Sequence, residues 1–314
     1  MKVFIQVPCL NEEETLPAVL STIPDSIDGV DEIEVLVIDD GSTDRTVEVA
    51  RAHGVTHVVS HARTMGLAQS FRDGVHYALT HGADVVVNTD GDNQYPQERI
   101  GDLVAPILAH EADIVIADRQ THTIEHFSPF KKLMQRFGSW IVNRAADTEL
   151  PDAASGFRAY SREALLKINV VTQFSYTMET IIQAGHKRLK IVSVPVTTNP
   201  KTRESRLFKN MFHHMAKSGA AITRSYLMFK PLVIFTTLAI VFGVLAAIPL
   251  VRYLVLWIVE NDPAGHLQSL VLGSILAVAS LLSAALGVLS DLQRTNRVLV
   301  EDQLERLKRL EYRR

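Results

Sequence analysis

The chain is predicted to fold as an α/β domain on a mostly parallel sheet, followed by a pair of membrane-crossing helices. Three observations point there. Short β-rich runs alternate with helical patterns through the first half of the chain, polar motifs stand where those runs end, and the apolar excess is concentrated after Lys230. Such alternation favours parallel strands covered by helices on both faces. The hydrophobic fraction of 47% and mean hydropathy of +0.11 lie near the apolar limit for a soluble protein, although the first two hundred residues have ordinary soluble texture. A chain of 314 residues has room for one catalytic domain and additions.

The runs expected as strands are 3–7, 34–38, 55–60, 84–88 and 114–117. Between them, 12–23, 43–53, 67–81 and 97–111 carry apolar residues at helical spacing behind polar residues suited to capping, so residues 1–200 form the expected catalytic domain. In an open sheet of this kind ligands bind at the carboxyl ends of the strands, where most of the motifs fall.

Charge and cysteine content narrow the setting. A formal net charge of -3 argues against nucleic acid as a partner, since a groove that tracks a phosphate backbone needs a basic surplus. The one cysteine, Cys9, leaves no intramolecular disulfide and fits a reducing compartment. The start of the chain reads as a short strand meeting Asn11 and three glutamates, so no cleaved signal peptide is expected.

Residues 201–230 interleave seven Lys and Arg with Leu207, Phe208, Met211, Phe212 and Ile222, the pattern of basic amphipathic helix in a headgroup region. Residues 231–290 follow as two apolar runs, 232–257 and 267–289, each long enough to cross a hydrocarbon core of about 30 Å. Arg252 is expected to reach for the interface near the exit end of the first. The stretch between the runs, 259–266, has no Lys or Arg, whereas 291–314 holds seven. Positive charge therefore places the catalytic domain and both termini in the cytosol, on an integral protein of the inner or plasma membrane. The tail 291–314 reads as a last amphipathic helix, for the membrane surface or for pairing with a second subunit as a homo-oligomer.

Four constellations carry chemistry. Val7-Pro8-Cys9-Leu10-Asn11-Glu12 ends the first strand, and alone it is only a strand-to-helix junction. Val37-Ile38-Asp39-Asp40-Gly41-Ser42-Thr43-Asp44 brings two carboxylates to a glycine turn. Asp40 or Asp44 can serve the next helix cap, while Asp39 is placed to accept from a nucleobase N–H or a ribose hydroxyl. Asp90-Gly91-Asp92, with Gln94 and Pro96 behind it, sets two carboxylates one residue apart after a buried strand. That suits one hard divalent cation, Mg2+ or Mn2+, whose shell a polyanionic ligand completes. Asp152-Ala-Ala-Ser155-Gly156-Phe157-Arg158, with Glu179 some twenty residues on, frames the acceptor side, and Arg119, Lys131, Lys132, Arg203 and Arg206 are cations for phosphate oxygens. The histidines, including His53, His57 and His61, lack the spacing of a zinc site and read as structural.

In order and spacing, Pro8, Asn11 and Glu12, then Asp39-Asp40-Gly41-Ser42, Asp90-Gly91-Asp92-Asn93-Gln94 and Ser155-Gly156-Phe157-Arg158 resemble family 2 glycosyltransferases. More narrowly, the whole chain resembles polyprenyl-phosphate glycosyltransferases, the group of dolichyl-phosphate mannose synthases and undecaprenyl-phosphate sugar transferases. The resemblance implies a GT-A fold in which Pro8, Glu12, Val37 and Asp39 hold the nucleoside, with Leu10, Asn11, Asp40 and Gly91 beside them. It implies that Asp90, Asp92 and Gln94 bind metal and diphosphate, and that Arg119 contacts the donor. A basic loop would close on the phosphates. The mannose synthases usually show Arg-Gly-Glu-Ser-Lys there, and this chain reads Thr202-Arg203-Glu204-Ser205-Arg206. The expected acceptor set is Lys131, Lys132, Ser155, Gly156, Arg158 and Glu179, with Lys131 where an arginine is common.

The expected reaction is inverting transfer of a sugar from a UDP- or GDP-linked donor to a membrane polyprenyl phosphate. Asp92, Asp152, Arg203 and Arg206 are the expected catalytic residues, Asp152 as a positioning group, or as the base if the acceptor were a sugar hydroxyl. A processive polysaccharide synthase would carry Gln-x-x-Arg-Trp, which this chain lacks. An idle sugar-nucleotide-binding membrane protein would have lost a metal carboxylate, and both are present.

Overall fold

The computed structural model describes residues 1–120, 138–140, 142–144, 146–171, 176–200, 231–260 and 266–313. These residues fall into two compact units, 1–200 with 304–313, and 231–303.

In the first unit a seven-stranded sheet has the order β3-β2-β1-β4-β6-β5-β7. Its strands are β1 (Lys2–Cys9), β2 (Glu32–Asp39), β3 (His57–Ser60), β4 (Val85–Asn88), β5 (Ile114–Asp118), β6 (Arg158–Ser161) and β7 (Ile191–Pro195). All neighbours run parallel except β6, which is antiparallel to β4 and β5. The mostly parallel sheet expected from the sequence is present, with two strands that the sequence did not mark. β6 lies in a segment read only for its Ser-Gly-Phe-Arg motif, and β7 is a short apolar run close to the basic stretch.

Helices α1 (Leu16–Thr22), α2 (Thr46–Ala52), α3 (Leu67–Thr80) and α4 (Ile100–Leu108) connect the first strands, with a 3-10 turn at Gln97–Arg99. α5 (Arg162–Lys167) and α6 (Tyr176–His186) follow β6. Burial on both faces explains the continuous apolar runs: β1 has six buried residues and every residue of β4 is buried. Pro17 stands in the first turn of α1, where its missing N–H costs nothing. α1 and α2 begin later than their periodicity suggests because the residues ahead of them are tied into the site described below.

The end of the last helix belongs to this unit. Lys308 Nζ donates to the carbonyls of Leu165 (3.2 Å) and Ile168 (2.8 Å) at the end of α5, and Arg309 forms a forked pair with Glu163. His76 Nδ1 lies 2.7 Å from the Tyr312 hydroxyl. Burial, then the nearby Lys187, pulls the Lys308 ammonium down to about 8.

The second unit contains α7 (Pro231–Glu260) and the body of α8 (Leu267–Glu311). Both are long and apolar enough to cross a membrane, and most of their large apolar side chains are exposed rather than packed as in a soluble core. Small residues let the two backbones approach: a Cβ at Gly273 would fall 2.5 Å from Leu250 Cγ, and Ser280 Oγ donates to the Ala239 carbonyl at 2.7 Å. The expected segment 201–230 lies outside the described residues.

Candidate active site

Strand register brings the motifs together. Cys9 is level with Asp39 in the β1–β2 pair, and Gln6 is level with Asn88 in the β1–β4 pair. Continuing three residues sets Gly91 beside Cys9, and a Cβ on Gly91 would fall 3.0 Å from Cys9 Sγ and 3.3 Å from Glu12 Cγ. On the other side Asn88 faces Arg158 in an antiparallel pair, so Gly156 comes level with Asp90. A Cβ there would fall 3.3 Å from Asp90 Oδ2. Gly91 is explained by close packing on the end of β1 and on Glu12, and Gly156 by close approach to the Asp90 carboxylate.

At the β1–β2 side the loops are laced by side chains. Asn11 N–H donates to Ser42 Oγ (2.9 Å), Glu12 N–H to Thr46 Oγ1 (2.9 Å) and Glu13 N–H to Asp44 (3.1 Å). In return Thr43 N–H donates to Asn11 Oδ1 (2.7 Å) and Arg45 N–H to Glu13 (3.1 Å). Asp39 Oδ1 accepts from Ser42 N–H at 2.9 Å. Asp40 turns inward, its two oxygens accepting from Met65 N–H (2.7 Å) and Gly66 N–H (2.8 Å) and meeting His61 Nδ1 at 2.7 Å. Gly41 has φ +79, and a Cβ there would meet the backbone of Arg63 at 2.7 Å, so only glycine fits.

At the β4 side the arrangement is electrostatic. Burial raises the Asp90 carboxyl to about 7, Asp92 and Glu12 push the same way, and Arg119 alone opposes them. Arg119 is itself held by Asp152 in a forked pair, Nε to Oδ2 at 2.6 Å and Nη2 to Oδ1 at 3.0 Å, with Asp152 buried. Asn88 Nδ2 donates to the Gly156 carbonyl (3.0 Å) and the Tyr176 hydroxyl (2.7 Å), while Gly156 N–H donates to the Tyr95 hydroxyl (3.0 Å). Both phenols are pushed up by burial, Tyr95 to about 12. Asn199 Nδ2 reaches across to the carbonyls of Asn93 (3.1 Å) and Tyr95 (3.3 Å), pinning the loop that carries Gln94.

Among the described residues no three His, Cys, Asp or Glu side chains form a metal cage. The donor set fits a cation that takes part of its shell from its ligand. Two half-buried carboxylates stand at the strand edge, and Asp90 is repelled by its acidic neighbours, a repulsion that a divalent cation would relieve.

Several expected residues are buried beneath the strand edge. Val37 is wholly buried in the core, two residues short of the strand end. Arg158 is also wholly buried: it donates to the carbonyls of Ser155 (2.7 Å), Ala153 (2.9 Å) and Thr177 (2.7 Å), tying the Ser-Gly turn to α6. Ser155 and Glu179 are buried too, and Glu179 accepts from Val171 N–H at 3.1 Å. These residues reach an acceptor only through the loop they shape. Lys131, Lys132, Arg203 and Arg206 lie outside the described residues. Sequence reasoning gave no role of their own to Asn88, Tyr95 and Asn199, and took Tyr176 only as part of the run that carries Glu179. Asn88 ends β4 and was findable as a polar group on a buried strand end, Tyr95 follows the Asp-Gly-Asp motif in the turn beyond it, and the others arrive from distant segments.

Residues 4–168 match the sequence model of glycosyl transferase family 2. The chain belongs to that family. It is a glycosyltransferase with a GT-A-like fold, as the resemblance implied. A dolichol-phosphate mannosyltransferase of Pyrococcus furiosus is 31% identical over 227 residues, 68% of this chain and 62% of that protein. The undecaprenyl-phosphate mannosyltransferase of Micrococcus luteus is 27% identical over 207 residues, 63% of this chain and 83% of that protein. Glucosyl-3-phosphoglycerate synthase from Mycobacterium tuberculosis, solved with phosphoglyceric acid, has a TM-score of 0.55 at 23% identity, covering 72% of this chain and 79% of that one. That likeness is one of fold.

Proposed function

We propose that this family 2 glycosyltransferase moves a sugar, with inversion, from a nucleotide diphosphate sugar to a membrane polyprenyl phosphate. The observation that carries the reading is the Asp90–Asp92 edge, walled by Gly91 and Gly156, in a chain that also bears two helices long enough to span a membrane. The relatives named as undecaprenyl- and dolichol-phosphate mannosyltransferases support the lipid acceptor, and they make mannose the first sugar to try.

Asp90 and Asp92, with Gln94 beside them, would hold Mg2+ or Mn2+, which when bound neutralises the diphosphate and eases its departure. The laced β1–β2 loops, with Asp39 at their edge, receive the nucleoside. Gly91 and Gly156 let the chain pack closely on Cys9, Glu12 and Asp90, which holds the two metal carboxylates at one edge. Arg119 is oriented by Asp152 at the same edge, a fixed positive charge for developing negative charge. Asp152, locked on that guanidinium, acts as a positioning group and not as a proton acceptor. A phosphate acceptor needs none, since its second pKa of about 6 leaves it mostly ionised at neutral pH. Positive charge at 201–230 and 291–314 supports a cytosolic catalytic unit with both termini on the same face.

The test incubates the full-length protein in detergent or nanodiscs with Mn2+ or Mg2+, radiolabelled UDP- and GDP-sugars, GDP-mannose among them, and a polyprenyl phosphate. The expected result is a lipid-linked monosaccharide from one donor. Transfer to a soluble or polysaccharide acceptor in its place would overturn the lipid assignment, and nucleotide binding without transfer to any acceptor would favour an idle sugar-nucleotide-binding protein.

A further inference from the structure

His61, read from sequence as structural, occupies a defined place between two carboxylates. It follows β3, its N–H donates to the Asp39 carbonyl at 2.9 Å, and its ring bridges Asp40 Oδ1 (2.7 Å from Nδ1) and Asp73 Oδ2 (2.9 Å from Nε2). An ionised carboxylate only accepts hydrogen bonds, so a ring serving two of them donates from both nitrogens and is an imidazolium. Gln69 Nε2 donates to both oxygens of Asp73 (2.9 and 2.8 Å), fixing that carboxylate on α3. The groups facing the ring are thus Asp40 from the end of β2 and Asp73 and Gln69 from α3, with Arg72 behind, donating to Gln69. Burial works against the charge, but the bonds to Asp40 and Asp73 outweigh it and hold the histidine above its ordinary value.

What His61 braces is a turn. Asp40 also takes the N–H groups of Met65 and Gly66, and the backbone of Arg63 and Thr64 packs on Gly41, one residue after the Asp39-Asp40 pair. Deprotonation would set a ring lone pair against one carboxylate and loosen the turn at its anchor.

We propose that His61 is a positioning residue for the nucleoside end of the donor site: as an imidazolium it braces Asp40 against α3, and through Asp40 it sets the 63–66 turn against Gly41. This rests on the reading of that strand edge as the donor site. The consequence is a donor affinity that falls at alkaline pH. The direction is opposite to metal binding at Asp90, which alkaline pH favours, so the two effects separate.

The experiment measures UMP and GMP binding to the full-length protein in EDTA, which probes the nucleoside end without the metal carboxylates. Donor KM and kcat are followed alongside, from about pH 6 to about pH 9. The expected result is nucleotide binding weakened about tenfold as pH rises, the size of one lost charge-assisted hydrogen bond, with KM rising and kcat unmoved. Asp73→Asn, on the more exposed side of the bridge, shifts the loss to lower pH because one of the two carboxylates holding the proton is gone. His61→Gln binds weakly at every pH; should it fail to fold, the wild type and Asp73→Asn decide the matter. A flat wild-type profile, or a profile that Asp73→Asn leaves in place, overturns the proposal. Absence of nucleotide binding at every pH overturns the donor-site reading itself, and this proposal with it.

Discussion

The two ends of the strand edge are built on opposite principles. At the β1–β2 end the polar groups answer one another: Asn11, Ser42, Thr43 and Asp44 exchange side-chain and backbone bonds, and Asp40 is bound to two N–H groups and an imidazole. At the β4 end Asp90 is held where burial, Asp92 and Glu12 all oppose its charge. The first end is rigid before any ligand arrives, and its carboxylates stabilise the fold. The second keeps an electrostatic deficit that Arg119 offsets in part and that a proton or a cationic ligand relieves, so its ionised carboxylate works against the fold. Shape is stored at one end and charge at the other.

Substitution to the matching amide separates the two. Asp90→Asn is expected to lower sugar transfer by about 10²–10³-fold while leaving the melting temperature in EDTA at alkaline pH unchanged or higher, because the charge it removes was disfavoured. Asp40→Asn turns one acceptor into a donor facing buried N–H groups and is expected to cost about 1–3 kcal/mol in stability, read from thermal or denaturant unfolding. If Asp90→Asn proves the more destabilising of the two, the contrast between the ends is wrong.

Proton competition sharpens the same contrast. The Asp90 carboxyl rises from 3.8 to about 7 in the folded chain. Its protonated form therefore favours folding fully below 3.8, and that contribution is lost as pH rises through about 7. A cation must displace the proton, so metal affinity should fall about tenfold per pH unit below that value. The measurement is the Mn2+-induced rise in melting temperature, expected to be larger at pH 8 than at about pH 6. An equal rise at both would detach the metal from Asp90.

This division also explains what the sequence revealed. The Asp-Gly-Asp edge and the Asp39-Asp40 pair were legible because each follows an apolar run, and in a parallel sheet such runs end on one side. The parallel strands themselves were legible for the same reason. β6 was not, because its four residues follow a motif rich in small residues, and its antiparallel pairing depends on β4 and β5, which are far away in sequence. Arg158 was expected in the acceptor frame, and its place as a buried clasp on three carbonyls was not legible because it depends on the arrival of α6. His61 was visible as a histidine, but its two carboxylate partners come from different elements.

The smallest expected effect concerns what makes the β1–β2 end rigid. Arg45 pairs with Glu13 at 3.3 Å, but the arginine is 76% exposed and the pair stands in water. Such pairs contribute about 0–1 kcal/mol, so Arg45→Ala should change unfolding free energy by less than about 1 kcal/mol and leave the donor KM within about twofold. The Arg45 backbone N–H still reaches Glu13, and the other cross-loop bonds persist. Asn11→Ala removes the acceptor for Thr43 N–H and should exceed Arg45→Ala in both measurements. If the order is reversed, the platform is held by surface charge, and the distinction between an end that stores shape and an end that stores charge fails at its first member.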